Sequence, residues 1–147
     1  DFGRKGSVVA AISAVDIALW DLAGQILNQP LYKLLGGAHR LEVQPYATGF
    51  YRLEGQGEVD RLADEARQHK AAGFKAMKIK LGFGLDDDLT VMAAIVEALS
   101  DPSIELMVDT NHAYGRSEAL ILGKALEAYN MRWYEEPVVP EDVEGYA

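Results

Sequence analysis

The chain of 147 residues has 49% hydrophobic and 25% charged residues, a composition typical of a globular protein of one domain. Its formal net charge of −9 argues against a nucleic-acid partner or an anionic membrane surface, since both require a basic face, but it does not exclude a small anionic substrate. The absence of cysteine excludes disulfides, thiolate zinc sites and cysteine nucleophiles, and no apolar run reaches the roughly 18 residues of a membrane span. We therefore expect a cytoplasmic protein without a membrane partner.

The first predicted element is a long helix from Ser7 to Leu27, in which apolar residues recur at helical spacing and Ser7 serves as the N-cap. Pro30 ends this pattern because proline cannot continue a helix. One further turn over residues 31–35 is followed by two glycines. Residues 1–37 are therefore predicted to be a lead-in helix and a short turn that pack on the domain that follows.

Short strands alternate with amphipathic helices from residue 38 to residue 147. The predicted strands are residues 43–48, 74–81, 106–110 and 132–136, and the predicted helices are residues 58–72, 86–99 and 117–129. Repeated strand–helix units indicate an α/β fold with a parallel sheet and helices outside it. The spacing of the units fits both a (β/α) barrel, with about 31 residues per unit, and an open doubly wound sheet.

Four charged residues at the strand ends favour the barrel. Side chains alternate along a strand, so the apolar face of residues 77, 79 and 81 must cover the helices and leaves Lys78 and Lys80 on the opposite face. The same alternation puts Asp109 and Glu135 on that opposite face of their strands. An open sheet would bury these charges against apolar helices at a cost of several kcal/mol per ion, whereas a barrel places them at its active-site mouth.

Each of these signals also has an ordinary structural explanation. A Lys-x-Lys pair is usually a solvated strand face, Asp109-Thr110-Asn111 is typical of a turn, and Glu135-Glu136-Pro137 is typical of an exposed strand end. Their joint position on one face of successive strands is what favours a functional site.

The same motifs resemble the enolase superfamily, in its mandelate racemase and muconate-lactonizing branch. The resemblance rests on Met77-Lys78-Ile79-Lys80-Leu81-Gly82, Asp109-Thr110-Asn111 and Tyr134-Glu135-Glu136-Pro137, and on residues 13–24 and 34–37 of the lead-in segment. The motifs occur in the family's order and cover essentially the whole chain. The expected fold is therefore the first four parallel strands of a TIM-type barrel, residues 38–147, with the helices outside and the lead-in helix before it.

The resemblance implies a role for each matched residue. Lys80 is the base that removes the proton α to a substrate carboxylate, and Lys78 contacts that carboxylate and disfavours the protonated form of its neighbour. Asp109 and Glu135 are two ligands of a Mg²⁺ ion, a hard cation that prefers carboxylate oxygens. Asn111 lines the site near the metal or the substrate, or is a turn residue.

Two further residues near the motifs are assigned elsewhere. Strand alternation selects Glu135 rather than Glu136 as the ligand, because Glu136 would share a face with Tyr134. His112 is predicted to be a loop residue rather than a general acid.

The implied activity is that of a Mg²⁺-dependent lyase or isomerase that works through an enolate, with dehydration of a sugar acid as the favoured outcome. Racemisation, epimerisation and cycloisomerisation share the same first half-reaction and remain alternatives. Family members also carry a capping domain, four more strands and a third carboxylate ligand. We therefore expect the chain to be part of a longer enzyme that is homo-oligomeric and acts on a small carboxylate substrate. An alternative of another class is a non-catalytic half-barrel that self-associates.

Overall fold

The computed structural model describes residues 6–55, 57–129 and 131–147, in two compact units. The first unit ends at Val43 and the second extends from Gln44 to Ala147. The boundary predicted at residue 37 remains a prediction, and residues 1–5 of the lead-in segment lie outside the described residues.

The first unit consists of two helices. Helix α1 (Ser7–Leu27) follows Gly6, which takes the N-cap position that was predicted for Ser7. It ends at Asn28, which adopts the left-handed conformation and donates its backbone N–H to the carbonyl of Gln25, 3.2 Å away. Helix α2 (Leu31–Leu34) then begins directly after Pro30.

Helix α1 is long and apolar enough to cross a membrane, which corrects the expectation that no segment of the chain could do so. Its best 18-residue window has a mean hydropathy of 1.6, although Asp16 and Asp21 interrupt the apolar run. Length and composition are the only basis of this finding, and the core helix of a soluble protein passes the same test.

The second unit is a four-stranded parallel sheet with helices, and it confirms the predicted α/β architecture. The strands follow chain order in the sheet: β1 (Ala47–Thr48), β2 (Ala76–Lys80), β3 (Glu105–Asp109) and β4 (Trp133–Glu135). Helices α3 (Val59–Ala71), α4 (Leu85–Leu99) and α5 (Arg116–Leu126) connect them, a 3₁₀ turn (Glu127–Tyr129) follows α5, and α6 (Val143–Tyr146) ends the chain.

The hydrophobic core lies between one face of the sheet and the connecting helices. Met77 and Ile79 of β2 and Val108 of β3 are fully buried there. The helices contribute buried residues at helical spacing: Leu62 and Ala66 from α3, Val91, Ile95 and Leu99 from α4, and Leu122 and Leu126 from α5. The predicted apolar face of β2 is therefore the one that the helices cover.

Strand β1 is shorter than its prediction. Only Ala47 and Thr48 pair with β2, opposite Met77 and Lys78, whereas residues 43–48 were predicted. Pro45 has no backbone N–H to donate to a neighbouring strand, so pairing cannot extend through it.

A close approach between two loops leads to a first prediction, for the substitution Gly82→Ala. Gly82 has a φ of +99°, and a Cβ atom there would lie 2.6 Å from the carbonyl oxygen of Thr110 and 2.8 Å from the Cβ of Ala113. We expect Gly82→Ala to lower the free energy of unfolding by at least about 3 kcal/mol, from backbone strain and the clash together. The measurement is urea unfolding followed by circular dichroism.

The control for this prediction is Gly73→Ala. Gly73 has a similar φ of +93°, and a Cβ atom there would meet nothing within 4 Å. This change isolates the backbone strain, which we expect to cost about 1 kcal/mol. Equal losses in the two variants would contradict the clash.

Candidate active site

The sheet register brings the charged residues of three strands into one row. Lys80 of β2 is opposite Asp109 of β3, and Asp109 is in turn opposite Glu135 of β4. Lys78 lies one pleat earlier on the same face of β2, because successive side chains alternate between faces. All four side chains therefore project from the face of the sheet that the helices do not cover, near the carboxyl ends of the strands.

The side chains of this row form a connected set of ion pairs. The Lys78 Nζ atom donates to both carboxylate oxygens of Glu135, at 2.8 and 2.9 Å, and lies 3.5 Å from Asp109 Oδ2. The Lys80 Nζ atom is 2.5 Å from the same Asp109 oxygen and 3.0 Å from Asn111 Oδ1. The structure thus brings together all five residues that were predicted for the site, whose individual roles remain predictions.

Asp109 lies at the centre of the set and is 1% exposed. Burial by itself would raise the pKa of the Asp109 carboxyl, but the Lys80 hydrogen bond, the backbone N–H of Asn111 and the charges of Lys80 and Lys78 together hold that pKa below its usual value. The carboxylate is therefore ionised near neutral pH, which is the state that a metal ligand requires.

Lys78 remains an ammonium group in this environment. Burial acts to lower its pKa, but the hydrogen bond and the charge of Glu135, together with the charge of Asp109, raise the pKa above the ordinary value for lysine. A fixed positive charge therefore lies beside Lys80, on the same strand face.

Two aromatic residues position Glu135. The indole Nε1 of Trp133 donates to Glu135 Oε2 at 3.1 Å, and the Trp133 ring packs edge-on against Tyr46 with 5.6 Å between ring centroids. The carboxylate thus has three hydrogen bonds from two side chains, which restricts its orientation.

Glu136 lies closer to the site than strand alternation predicts. Strand β4 ends at Glu135, and Glu136 has a φ of +51°, so its side chain does not follow the alternation that would place it with Tyr134. Its Oε2 atom instead accepts a hydrogen bond from Asn111 Nδ2 at 2.9 Å and lies 3.4 Å from His112 Nε2. The sequence reasoning missed this residue because alternation applies only inside a strand.

Asn111 consequently connects two charged groups of opposite sign. Its amide oxygen accepts from Lys80, and its amide nitrogen donates to Glu136. Asn111 and His112 both have positive φ values, 47° and 63°, in the loop after β3. Left-handed non-glycine residues cluster at functional sites, which is a signal that only the structure provides.

A cavity of about 280 Å³ opens beside Lys80. The loops after β1, β2 and β3 line it with Tyr51, Arg52, Lys80, Leu81, Gly82, Phe83, Thr110, Asn111 and Ala113. Its size suits a small organic molecule, and an amine and an amide that could contact a polar substrate are in its lining.

The carboxylates of the site are compatible with a magnesium ion for which this chain supplies part of the ligands. Asp109 and Glu135 offer carboxylate oxygens from neighbouring strands, and Mg²⁺ is commonly held by one or two carboxylates together with water and substrate oxygens. Among residues 6–55, 57–129 and 131–147, no group of three or more His, Cys, Asp or Glu side chains could hold a metal ion. Two ligands are therefore the most that the described part of the chain supplies at this position.

Comparison with known proteins identifies related sequences. The family described as "Enolase C-terminal domain-like" matches residues 61–147, and the family described as "Mandelate racemase / muconate lactonizing enzyme, N-terminal domain" matches residues 3–36. Together the two matches cover most of the chain.

Curated relatives match over nearly all of the chain. A D-galactarolactone cycloisomerase from Agrobacterium fabrum is 43% identical over 100% of the chain and 39% of its own length. An arabinonate dehydratase from Saccharolobus solfataricus is 39% identical over 93% of the chain and 36% of its own length. The chain thus spans less than two fifths of the length of these two relatives.

A solved structure supports the fold assignment. A racemase from Streptomyces coelicolor A3(2), with bound magnesium, superimposes with a TM-score of 0.87 and 40% identity, over 99% of the chain and 40% of that structure. Agreement at this level extends the match from sequence to the arrangement of the strands and helices.

The lowered pKa of Asp109 leads to a second prediction, on stability as a function of pH. A carboxyl group with a lowered folded-state pKa stabilises the fold above its unfolded pKa of about 4, and this contribution is lost as the pH falls through the folded pKa. We expect the stability advantage of the wild type over Asp109→Asn to be constant between about pH 5 and 7 and to shrink below about pH 4. Urea unfolding at a series of pH values measures it, and an advantage that is unchanged at about pH 3 would contradict the assignment.

Proposed function

Because the chain belongs to the mandelate racemase and muconate lactonizing enzyme family of the enolase superfamily, we propose that it is part of an enzyme that removes the proton α to the carboxylate of a sugar acid. The observation that carries this proposal is the row of Lys80, Asp109 and Glu135 with Lys78 beside it, of which Lys80 lines a cavity. The names of the relatives, a sugar-lactone cycloisomerase and a sugar-acid dehydratase, support the substrate class.

In this proposal Lys80 is the base. Its amine lies in the lining of the cavity, and the Asn111 oxygen and Asp109 hold it there. To act as the base, the Lys80 amine must first lose its proton; it then accepts the α-proton and becomes an ammonium ion again, while the electron pair of the C–H bond moves into the carboxylate-conjugated enolate. The ammonium group of Lys78 lies nearby on the same strand face, where it can contact the carboxylate of the substrate.

Asp109 and Glu135 are the proposed metal ligands. The negative charge that develops on the substrate carboxylate would be stabilised by Mg²⁺ held at these two residues. Trp133 orients Glu135 and so acts on the ligand rather than on the substrate. The magnesium in the similar racemase structure supports the choice of cation.

Dehydration is the outcome that we favour for the second half of the reaction. The enolate electrons then expel the β-hydroxyl group, which leaves as water after it accepts a proton from a general acid. The resulting enol gains a proton at carbon 3 and loses its hydroxyl proton, and the product is a 2-keto-3-deoxy acid. Cycloisomerisation is the second candidate, and the 43% identity to a D-galactarolactone cycloisomerase favours it. The two outcomes share the first step, so the experiments below test that step.

The third prediction concerns the base. In the whole protein, Lys80→Ala is expected to slow the exchange of the substrate α-proton with D₂O by at least about a hundredfold, because a base contributes 10²–10⁴-fold. Proton NMR of arabinonate, gluconate and galactarate with Mg²⁺ measures the exchange. Lys124→Ala, on the exposed surface of α5, is the control and should retain wild-type exchange. Exchange in Lys80→Ala at the wild-type rate would contradict the assignment of the base.

The fourth prediction separates the two neighbouring glutamates. In the whole protein, Glu135→Gln is expected to weaken Mg²⁺ binding by at least about tenfold, because a carboxylate ligand loses its charge. Glu136→Gln should change it by less than about threefold, because the Glu136 carboxylate contacts Asn111 and His112 instead. Isothermal titration with MgCl₂ alone measures both, and equal losses would contradict the choice of Glu135.

A further inference from the structure

The loop that directly follows β2 is held by two buried side chains. Asp88 accepts hydrogen bonds from the backbone N–H of Gly82 at 2.8 Å and of Phe83 at 3.1 Å. The Tyr114 hydroxyl accepts from the backbone N–H of Gly84 at 2.9 Å. Three consecutive backbone donors, beginning two residues after Lys80, thus have their partners in one carboxylate and one phenol.

Asp88 and Tyr114 are also bonded to each other. The Tyr114 hydroxyl donates to Asp88 Oδ2 at 2.6 Å, and the two residues are 0% and 8% exposed. Burial and the hydrogen bond to Asp88 raise the pKa of Tyr114 well above its ordinary value of 10. The phenol therefore stays protonated and remains a donor to Asp88 throughout the pH range in which the protein is used.

This pair ties the loop after β2 to the loop after β3. Gly82 packs so closely on Thr110 and Ala113 that no Cβ atom would fit, and Tyr114 directly follows Ala113. The first loop follows Lys80, and the second contains Asn111, the residue that accepts a hydrogen bond from Lys80. The distance between the base and its neighbour therefore depends on how the two loops are fixed to each other.

A buried ion pair between Arg52 and Asp87 connects the loop after β1 to the same end of α4. The Arg52 side chain is 1% exposed, and its Nη2 atom lies 2.7 Å from Asp87 Oδ2. The Arg52 Nη1 donates to the carbonyl of Gly57 at 2.6 Å, and the Gly57 N–H donates to Asp87 Oδ1 at 2.6 Å. The guanidinium also lies 4.8 Å from the centroid of the Phe83 ring. All three loops that line the cavity beside Lys80 are thus anchored at the N-terminal turn of α4.

We propose that Asp88 and Tyr114 are positioning residues of the active site: they hold the backbone of residues 82–84 against the loop after β3 and thereby fix Lys80 beside Asp109 and Asn111. Neither residue lines the cavity, so they act through the loops and not on the substrate. The catalytic part of this inference rests on the proposed function. Its structural part concerns only the Lys80 amine and can be tested without a substrate.

The first test measures the accessibility of the Lys80 amine. The whole protein is labelled with a limiting amount of acetic anhydride, and peptide mass spectrometry gives the labelling of Lys80 relative to Lys124. The wild-type Lys80 side chain is 16% exposed and makes two hydrogen bonds, so its labelling should be slow. In Asp88→Asn and Tyr114→Phe we expect Lys80 labelling to rise by at least about threefold, because the loop opens locally.

Two matched controls make the same chemical changes at the other end of the sheet. Tyr129→Phe removes a phenol hydroxyl after α5, and Asp101→Asn changes a carboxylate that accepts hydrogen bonds from Ser103 in the turn before β3. Both should leave the ratio of Lys80 to Lys124 labelling unchanged. An unchanged ratio in Asp88→Asn and Tyr114→Phe would overturn the proposal. Far-UV circular dichroism of each variant reports global unfolding, which the exposed Lys124 cannot report, and loss of the wild-type spectrum would equally contradict a local positioning role.

The second test is kinetic and uses the sugar acid of the panel whose α-proton the wild type exchanges fastest. Tyr114→Phe is expected to lower kcat for exchange by about tenfold or more and to change KM by less than about threefold, because the base is displaced while the binding groups remain. The stoichiometry of Mg²⁺ binding, which counts molecules with intact ligands, should stay at the wild-type value. A lower stoichiometry in proportion to the lost kcat would mean that the variant is partly unfolded, and would overturn the positioning role.

The two tests also separate this inference from the proposed function. A wild-type protein that exchanges no α-proton of any sugar acid would contradict the proposed function. The labelling result would then still decide whether Asp88 and Tyr114 fix the position of Lys80.

Discussion

The burial of one carboxylate governs the arrangement of the whole site. Asp109 is almost inaccessible to water, and an isolated carboxylate in such a place would cost several kcal/mol. The positive charges of Lys78 and Lys80, on the neighbouring strand, offset this cost, and the backbone N–H of Asn111 adds a further hydrogen bond. The spacing of the two lysines along β2 follows from this, because both must reach a residue on the next strand.

The parallel register aligns the charged residues of three neighbouring strands, so that the charge pairing of Asp109 extends to Glu135. Asp109 lies opposite Lys80 on one side and opposite Glu135 on the other. A charge on any one of the three strands therefore interacts electrostatically with the charges on the other two. Glu135 is held by Lys78 and by the Trp133 indole, so each carboxylate has its own ammonium partner. The four charges sum to zero, which offsets the cost of burying Asp109 among them.

Much of this could be predicted from the sequence because the strands obey a simple rule. Alternation assigned Lys78 and Lys80 to the face opposite the core, and the buried residues Met77 and Ile79 agree with it. The rule fails at Glu136, since that residue lies one position beyond β4 in a left-handed conformation. Backbone conformations outside regular elements follow from loop packing, which no local pattern of residues specifies.

Asp88 illustrates a signal that is present in the sequence and that the helix dipole alone does not explain. Three successive aspartates at the start of α4 suit the helix dipole, but Asp88 alone lies four residues before Met92 and seven before Ile95, on the apolar stripe of the helix. A charged residue on such a stripe must be buried and must find partners. The partners themselves, the N–H groups of residues 82–84 and the Tyr114 phenol, come from loops whose course is visible only in the structure.

The different anchoring of the loops has a consequence for laboratory evolution of substrate preference. The backbone N–H groups of residues 82–84 all donate hydrogen bonds to buried side chains, and Gly82 has no room for a side chain. Random substitution of this segment would therefore produce mostly misfolded variants. Leu53 and Glu54, in the loop after β1, are exposed, and their backbone N–H groups donate to the Glu58 carboxylate. Diversity introduced at those two positions keeps the anchors intact and changes the surface near the cavity, which makes them the better starting point for a library.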